Sequence, residues 1–157
     1  MQMEQQEETN WCWAAVAASI HKFLNPTNPL AQGEIATGVL NNGVNCSATP
    51  DLCNYPGSLY AALNFTGNFR QFAASKRISF DNIRNWINAG LPVAVRIAWY
   101  GVGAHFVVID GYRVLQSGEL QVQVQDPDQG FSIHSYDDFA QNYPPGGYWL
   151  DTYTVKR

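Results

Sequence analysis

The chain has 157 residues, of which 46% are hydrophobic and 13% aromatic, and this is enough for one sizeable core but not for two. The net charge of −4 argues against a nucleic-acid surface or an anionic membrane as the main partner. No apolar run approaches the ~20 residues that a membrane span requires. We therefore expect a single, monomeric domain over residues 1–157 that binds neither nucleic acid nor membrane.

The first ten residues are polar and acidic, which is unlike a signal peptide. No Cys-x-x-Cys motif occurs, and the three histidines do not cluster with the cysteines at metal-ligand spacing. A structural zinc site would require four ligands and a catalytic one three. We therefore expect neither a metal nor a cofactor.

Apolar residues recur at helical spacing up to about residue 90. Asn10 is a suitable N-cap for the first helix, and Asn25-Pro26 would end it. Ser79 can cap the last helix, which Gly90 would stop, while the segment 41–57 is typical of a loop. The predicted helices cover residues 11–23, 32–40, 57–63 and 79–88.

Beyond residue 90 the apolar residues alternate with polar ones, as in half-buried strands. The run from Ala104 to Gly111 is almost continuously apolar, which is typical of a central strand. The predicted strands cover residues 93–99, 104–111, 120–126, a short stretch from 130, and 148–155. A helical region over 1–90 and an antiparallel β region over 91–157 predict an α+β fold.

Cys12 lies at the start of the first helix, in the segment Trp-Cys-Trp-Ala-Ala. Unpaired backbone N–H groups and the positive end of the helix dipole would stabilise a thiolate there, and the thiolate is the nucleophilic form. An isolated cysteine in an alanine-rich helix is more often a small core residue. However, Gln6 lies upstream, where its amide could donate to an oxyanion together with the Cys12 N–H; the adjacent Gln5 is the alternative.

A base and an orienting carboxylate are available in the β region. His105 follows the Gly-Val-Gly segment 101–103 and lies near the start of a predicted buried strand. A histidine in such a position is more often structural. Asp126 falls on the inward face of its strand, where an unpaired charge would be costly. His105 is its natural partner, whereas an ordinary turn at Asp126-Pro127 is the simpler interpretation of the same composition.

The Gln-x₅-Cys-Trp-Ala segment resembles the active-site segment of papain-like cysteine peptidases. The segments Gly-Ala-His-Phe-Val-Val-Ile-Asp-Gly-Tyr and Val-Gln-Asp-Pro resemble the His and Asp blocks of a small bacterial branch, which includes avirulence-effector peptidases and is related to bacteriocin-processing peptidases. The resemblance implies a papain-like fold with the active site in a cleft between a helical and a β lobe. It also implies a Cys12, His105 and Asp126 triad with Gln6 as oxyanion donor.

The chain departs from plant and lysosomal members in two ways. Fewer residues separate Cys12 from His105 than the ~130–150 typical of those enzymes, and the third residue is Asp in place of Asn. The resemblance implies a cysteine protease that hydrolyses a protein or peptide substrate. It further implies a secreted or delivered effector or toxin, with a cognate inhibitor or immunity protein as a second partner.

Other functions on the same scaffold are an amidase, an isopeptidase, an acyltransferase or a non-catalytic binding module. Trp149 suits two roles equally, since it could cover the His–Asp pair or belong to the core. Cys46 and Cys53 share one loop. In an exported protein they would form a disulfide and in the cytosol two free thiols, and the small core available to this loop favours the disulfide.

Overall fold

A computed structural model describes residues 1–101 and 103–157 of the chain. Its helices, with a 3-10 turn at Pro50–Cys53, are α1 (Cys12–Leu24), α2 (Gln32–Leu40), α3 (Leu59–Phe65), α4 (Phe80–Asn88) and α5 (Tyr136–Gln141). Its strands are β1 (Phe69–Ala73), β2 (Val93–Trp99), β3 (Gly103–Val114), β4 (Leu120–Asp126), β5 (Gly130–Ser135) and β6 (Tyr148–Val155). Within the described ranges no helix is long and apolar enough to cross a membrane.

The strands form one antiparallel sheet in the order β1-β6-β2-β3-β4-β5, and the helices pack on it. The α+β prediction is therefore confirmed. Alternation along β2 works as the sequence indicated: Val95 and Ile97 face one core with α4 and α5, whereas Ala94 faces the other core with α1. The sheet thus separates two apolar clusters, and α1 lies against one of its faces.

The start of α1 differs from the prediction. Trp11 is the N-cap residue and makes no side-chain capping bond, while Asn10 pairs with Asn54 in the loop before α3 through both its backbone N–H and its side-chain amide. The Asn10 cap was therefore wrong, because Asn54 offers this side chain a better placed partner. The first turn of α1 consequently keeps N–H groups that no side chain satisfies.

Two elements were not predicted. Strand β1 lies inside the region expected to be helical, and it is an edge strand paired only with β6 among the described strands. Its central residues are exposed, so the sequence shows no apolar alternation there. Helix α5 has only six residues, too few for a helical period to show, and Ser135 caps it by accepting the Asp138 N–H.

The loop before α3 is tied to the start of α1. Cys46 and Cys53 are joined by a disulfide and both are buried. The indole of Trp11 donates to the Cys53 carbonyl at 2.8 Å, and the indole of Trp13 donates to the Tyr55 carbonyl at 3.1 Å. The tryptophans on either side of Cys12 therefore position this loop beside the cysteine.

Removing the disulfide should destabilise the protein without disrupting its core. We expect the Cys46→Ala/Cys53→Ala double variant to lose about 2 kcal/mol of unfolding free energy, because the short loop is then unrestrained in the unfolded chain. Urea unfolding of the oxidised wild type and the variant measures the difference. Two thiols that are freely alkylated in the unreduced native protein would contradict the pairing.

Candidate active site

Cys12 is the first residue of α1 and is a half-buried free thiol. The small residues Ala14, Ala15 and Ala18 that follow it are completely buried, so the helix packs tightly beside β3. This packing leaves the thiol at the helix N-terminus, next to the uncapped first-turn N–H groups. The partial positive charge of the helix N-terminus therefore faces this thiol.

His105 and Asp126 meet at the same end of the sheet. Strands β3 and β4 are antiparallel, and the register that pairs Val108 with Gln125 brings the start of β3 beside the end of β4. The Nε2 atom of His105 lies 2.7 Å from Oδ1 of Asp126. The Asp126 side chain is only 1% exposed, so this hydrogen bond is almost fully shielded from water.

The electrostatics of this pair favour a positively charged imidazole. Burial opposes a charge on the ring, but hydrogen bonding to Asp126 and Cys12, together with their charges, raises the pKa of His105 from 6.5 to about 10. Burial also opposes a charge on Asp126 and by itself would raise the pKa of this carboxyl. The hydrogen bond and charge of His105, together with the bond from the Tyr143 hydroxyl, hold that pKa below its ordinary value. Since Nε2 is bound to Asp126, Nδ1 is the ring atom left for Cys12.

Asp126 has three further donors. The hydroxyl of Tyr143 donates to Oδ2 at 2.6 Å, and the backbone N–H groups of Asp128 and Gln129 donate to Oδ1 at 2.7 and 3.1 Å. Asp126 therefore does both things that the sequence suggested: it begins an ordinary turn, and it pairs with His105. One carboxylate caps its own turn and binds the imidazole. Tyr143 was not predicted, since nothing in its local sequence marks the contact.

Trp149 does not cover the His–Asp pair. Its ring packs 5.4 Å from Phe139 in the core, and its indole N–H donates to Thr152 at 2.9 Å. Trp99 lies beside His105 instead, with its ring centroid 6.3 Å from that of His105. The pairing of Trp99 with Gly103 at the ends of β2 and β3 explains this, because His105 follows two residues later.

Gln6 lies between the two parts of the site. Its backbone N–H donates to the Pro127 carbonyl at 2.9 Å, next to Asp126. Its side-chain Nε2 donates to the carbonyls of Glu8 and Thr9 at 3.1 and 2.9 Å, just before α1 begins. The neighbouring Gln5 is exposed and lines a groove beside the N-terminus, whereas Gln6 is half-buried.

Cavities open on both sides of His105. One, of about 730 Å³, is bounded by Cys12, His105, Gly57, Arg96 and Tyr153, among others. The other, of about 650 Å³, runs past Trp99, Asp126, His134 and Tyr143. At Gly57 an added Cβ would lie 2.2 Å from the Trp13 ring, so only glycine lets the loop approach α1 this closely. An extended chain could therefore cross the site beside Cys12 and His105.

Within residues 1–101 and 103–157, no group of three or more His, Cys, Asp or Glu side chains is arranged to hold a metal ion. The chemical groups at the site are the thiol of Cys12, the imidazole of His105 and the carboxylate of Asp126. Such a set suits nucleophilic attack on a carbonyl followed by proton transfer.

The model of the family described as papain-like cysteine protease AvrRpt2 matches residues 1–144 of the chain. The chain belongs to this family. Its fold is similar to that of the bromelain protease from Ananas comosus, solved with the E64 inhibitor (TM-score 0.60, 14% identity, covering 100% of this chain and 94% of that one). It is also similar to a C39-like peptidase from Bacillus anthracis (TM-score 0.59, 18% identity, covering 100% and 94%). No curated protein matches the sequence.

These comparisons confirm the papain-like cysteine peptidase that the sequence motifs indicated. The two structures share the fold at low identity, so they support the architecture alone. The family match includes all of α1, β3 and β4, which carry Cys12, His105 and Asp126.

The pH dependence of kcat/KM for this peptidase should be sensitive to the hydrogen bond between His105 and Asp126. Asp126 is a main cause of the raised His105 pKa, so Asp126→Asn should lower that pKa. The alkaline limb of kcat/KM, where the imidazolium is lost, should then move to lower pH. The exposed Asp128→Asn variant is the matched control and should leave the limb in place. An unmoved limb in Asp126→Asn, or a moved one in Asp128→Asn, would contradict the assignment.

Proposed function

We propose that the protein hydrolyses peptide bonds in a protein substrate, with Cys12 as nucleophile, His105 as general acid and base, and Asp126 as the group that orients the ring. The observation that carries this proposal is the placement of His105. Its Nε2 is bound to the buried Asp126 at 2.7 Å, and His105 borders the same cavity as Cys12, which lies at the N-terminus of α1.

The acylation step uses the charge state that the site favours. The Cys12 thiolate attacks the scissile carbonyl carbon, forming a C–S bond while the carbonyl π electrons move to oxygen. The tetrahedral intermediate collapses and the C–N bond breaks as His105 gives its proton to the leaving amine. The neutral ring then takes a proton from water, which restores the imidazolium, while the hydroxide so formed attacks the thioester carbon. Collapse of this second tetrahedral intermediate breaks the C–S bond and releases the product acid and the Cys12 thiolate.

The oxyanion would be held by two donors, one in the first turn of α1 and one in the segment before the helix. The Cys12 backbone N–H belongs to the first helical turn and has no partner within the helix. The amide nitrogen of Gln6 carries two hydrogens, and the shorter bond to Thr9, at 2.9 Å, uses one of them. The second is donated to the Glu8 carbonyl, 3.1 Å from Nε2, and would be donated to the oxyanion instead during the reaction.

We further propose that this peptidase is a delivered effector or toxin. Membership of the AvrRpt2 family supports that role. The Cys46–Cys53 pairing also supports it, because disulfides persist in oxidising compartments and are rare in the cytosol. A protein that acts in another cell would have a protein of that cell as its substrate and an inhibitor or immunity protein as a further partner.

Replacing the nucleophile should abolish turnover and leave the fold intact. Cys12→Ala removes only the thiol, and alanine suits this alanine-rich helix. His105→Ala should be about as damaging, because the ring takes part in every proton transfer. Peptide cleavage is followed by mass spectrometry and folding by circular dichroism. Residual turnover by folded Cys12→Ala would contradict the assignment of the nucleophile.

Gln6→Ala should lower kcat by roughly 10²-fold, because it removes a donor to the charge that develops on the carbonyl oxygen. Alkylation of Cys12 by iodoacetamide produces no such charge, so its rate should change little. Gln5→Ala, at the exposed neighbouring position, is the matched control and should affect neither rate. Equal losses of hydrolysis and alkylation in Gln6→Ala would show that Gln6 supports the helix start or the thiolate instead.

A further inference from the structure

Gln32 is a buried polar residue that the proposed mechanism does not use. It is the first residue of α2 and is only 1% exposed. A buried primary amide must find partners for its donors and its acceptor, or it destabilises the fold. The partners that Gln32 has found lie in the N-terminal segment.

The Gln32 amide holds the backbone on both sides of Gln6. Its Nε2 donates to the Gln5 carbonyl at 2.8 Å, and its Oε1 accepts from the Glu7 N–H at 3.1 Å. A donor and an acceptor on one planar group fix both the position and the direction of a backbone segment. Residues 1–6 belong to no helix or strand, so they have no regular ladder to hold them.

The Gln6 side chain is anchored at one end only. Its Nε2 donates to the Glu8 and Thr9 carbonyls, whereas its buried Oε1 has no hydrogen-bond partner among the described residues. One of the two Nε2 bonds must be given up when this nitrogen donates to the oxyanion. During the reaction the orientation of the side chain therefore depends more on its backbone, which is fixed by the bond from Gln6 N–H to Pro127 and by Gln32.

We propose that Gln32 is a positioning residue, which holds residues 5–7 so that the Gln6 amide faces the oxyanion site. This inference rests on the proposed function, since Gln32 would act through the Gln6 donor. The Gln32 side chain makes its hydrogen bonds to Gln5 and Glu7, not to Cys12 or His105. A loss of Gln32 should therefore weaken transition-state stabilisation and leave the thiolate, the imidazole and ground-state binding unchanged.

The test is a double-mutant cycle in the full chain. Gln32→Met keeps the length and volume of the side chain but removes both hydrogen bonds. We expect it to lower kcat by about tenfold, part of the roughly 10²-fold that a lost oxyanion donor costs. KM and the rate of Cys12 alkylation should change less than about twofold, since neither depends on the oxyanion. In the Gln6→Ala background, Gln32→Met should lower kcat no further.

Ser19→Ala is the matched structural control. The buried Ser19 hydroxyl accepts the Glu4 N–H at 2.9 Å, so it anchors the same segment at a residue that does not flank Gln6. This variant should lower the melting temperature and leave kcat unchanged. An equal loss of kcat in Ser19→Ala and Gln32→Met would mean that any loosening of the segment suffices, and it would overturn the specific role of Gln32.

Two other results would overturn the inference: an equal effect of Gln32→Met with Gln6 present and absent, or a parallel fall in alkylation. Gln32→Asn, which keeps both groups on a shorter side chain, carries the same test if Gln32→Met does not fold. If the role proposed for Gln32 is wrong, Gln6→Ala should still lower kcat without changing the alkylation rate. If Gln6→Ala itself had no effect on kcat, the oxyanion donor of the proposed function would be wrong, so the two failures are distinguishable.

Discussion

The buried carboxylate of Asp126 is the constraint on which the site depends. Its side chain is 1% exposed and accepts hydrogen bonds from His105, Tyr143 and the backbone N–H groups of Asp128 and Gln129. A buried charge without such partners would destabilise the protein by several kcal/mol. The same bonds that make the carboxylate tolerable also fix the end of β4, the turn that follows and the direction of the imidazole ring.

The rest of the architecture brings a thiol to that fixed ring. Antiparallel pairing of β3 with β4 places His105 beside Asp126, and the fully buried alanines of α1 let the helix approach the sheet closely. The helix begins at Cys12 without a side-chain cap, so its N-terminal N–H groups remain available to the thiolate and to an oxyanion. The indoles of Trp11 and Trp13 then fix the loop that borders the cleft.

Most of the fold could be predicted from the sequence, because its elements have clear periods. The alternation in β2 and β4 and the helical spacing in α1 and α4 placed these elements within one or two residues. Strand β1 could not be found, since it is an edge strand with exposed central residues, and α5 is too short to show a period. The Asn10 cap failed because Asn54, a partner distant in sequence, binds that side chain.

The same distinction applies to the site. Cys12, His105 and Asp126 occur in segments whose local pattern marks them, so the sequence could nominate them together with Gln6. Tyr143, Trp99 and Gln32 make contacts that only the folded chain creates, and their local sequences resemble ordinary core or loop. Local pattern thus nominates candidates for the chemistry, whereas the residues that contact those candidates can be found only from the tertiary structure.

The nucleophile is tested most directly by trapping the covalent intermediate. A peptide p-nitrophenyl ester acylates a thiol rapidly, so the thioester should accumulate when the reaction is quenched in acid within its burst phase. Mass spectrometry of the digested protein should then show the acyl mass on the fragment that contains Cys12, and no such mass in Cys12→Ala. Steady hydrolysis of a peptide substrate with the acyl group found on another residue, or on none, would contradict the account.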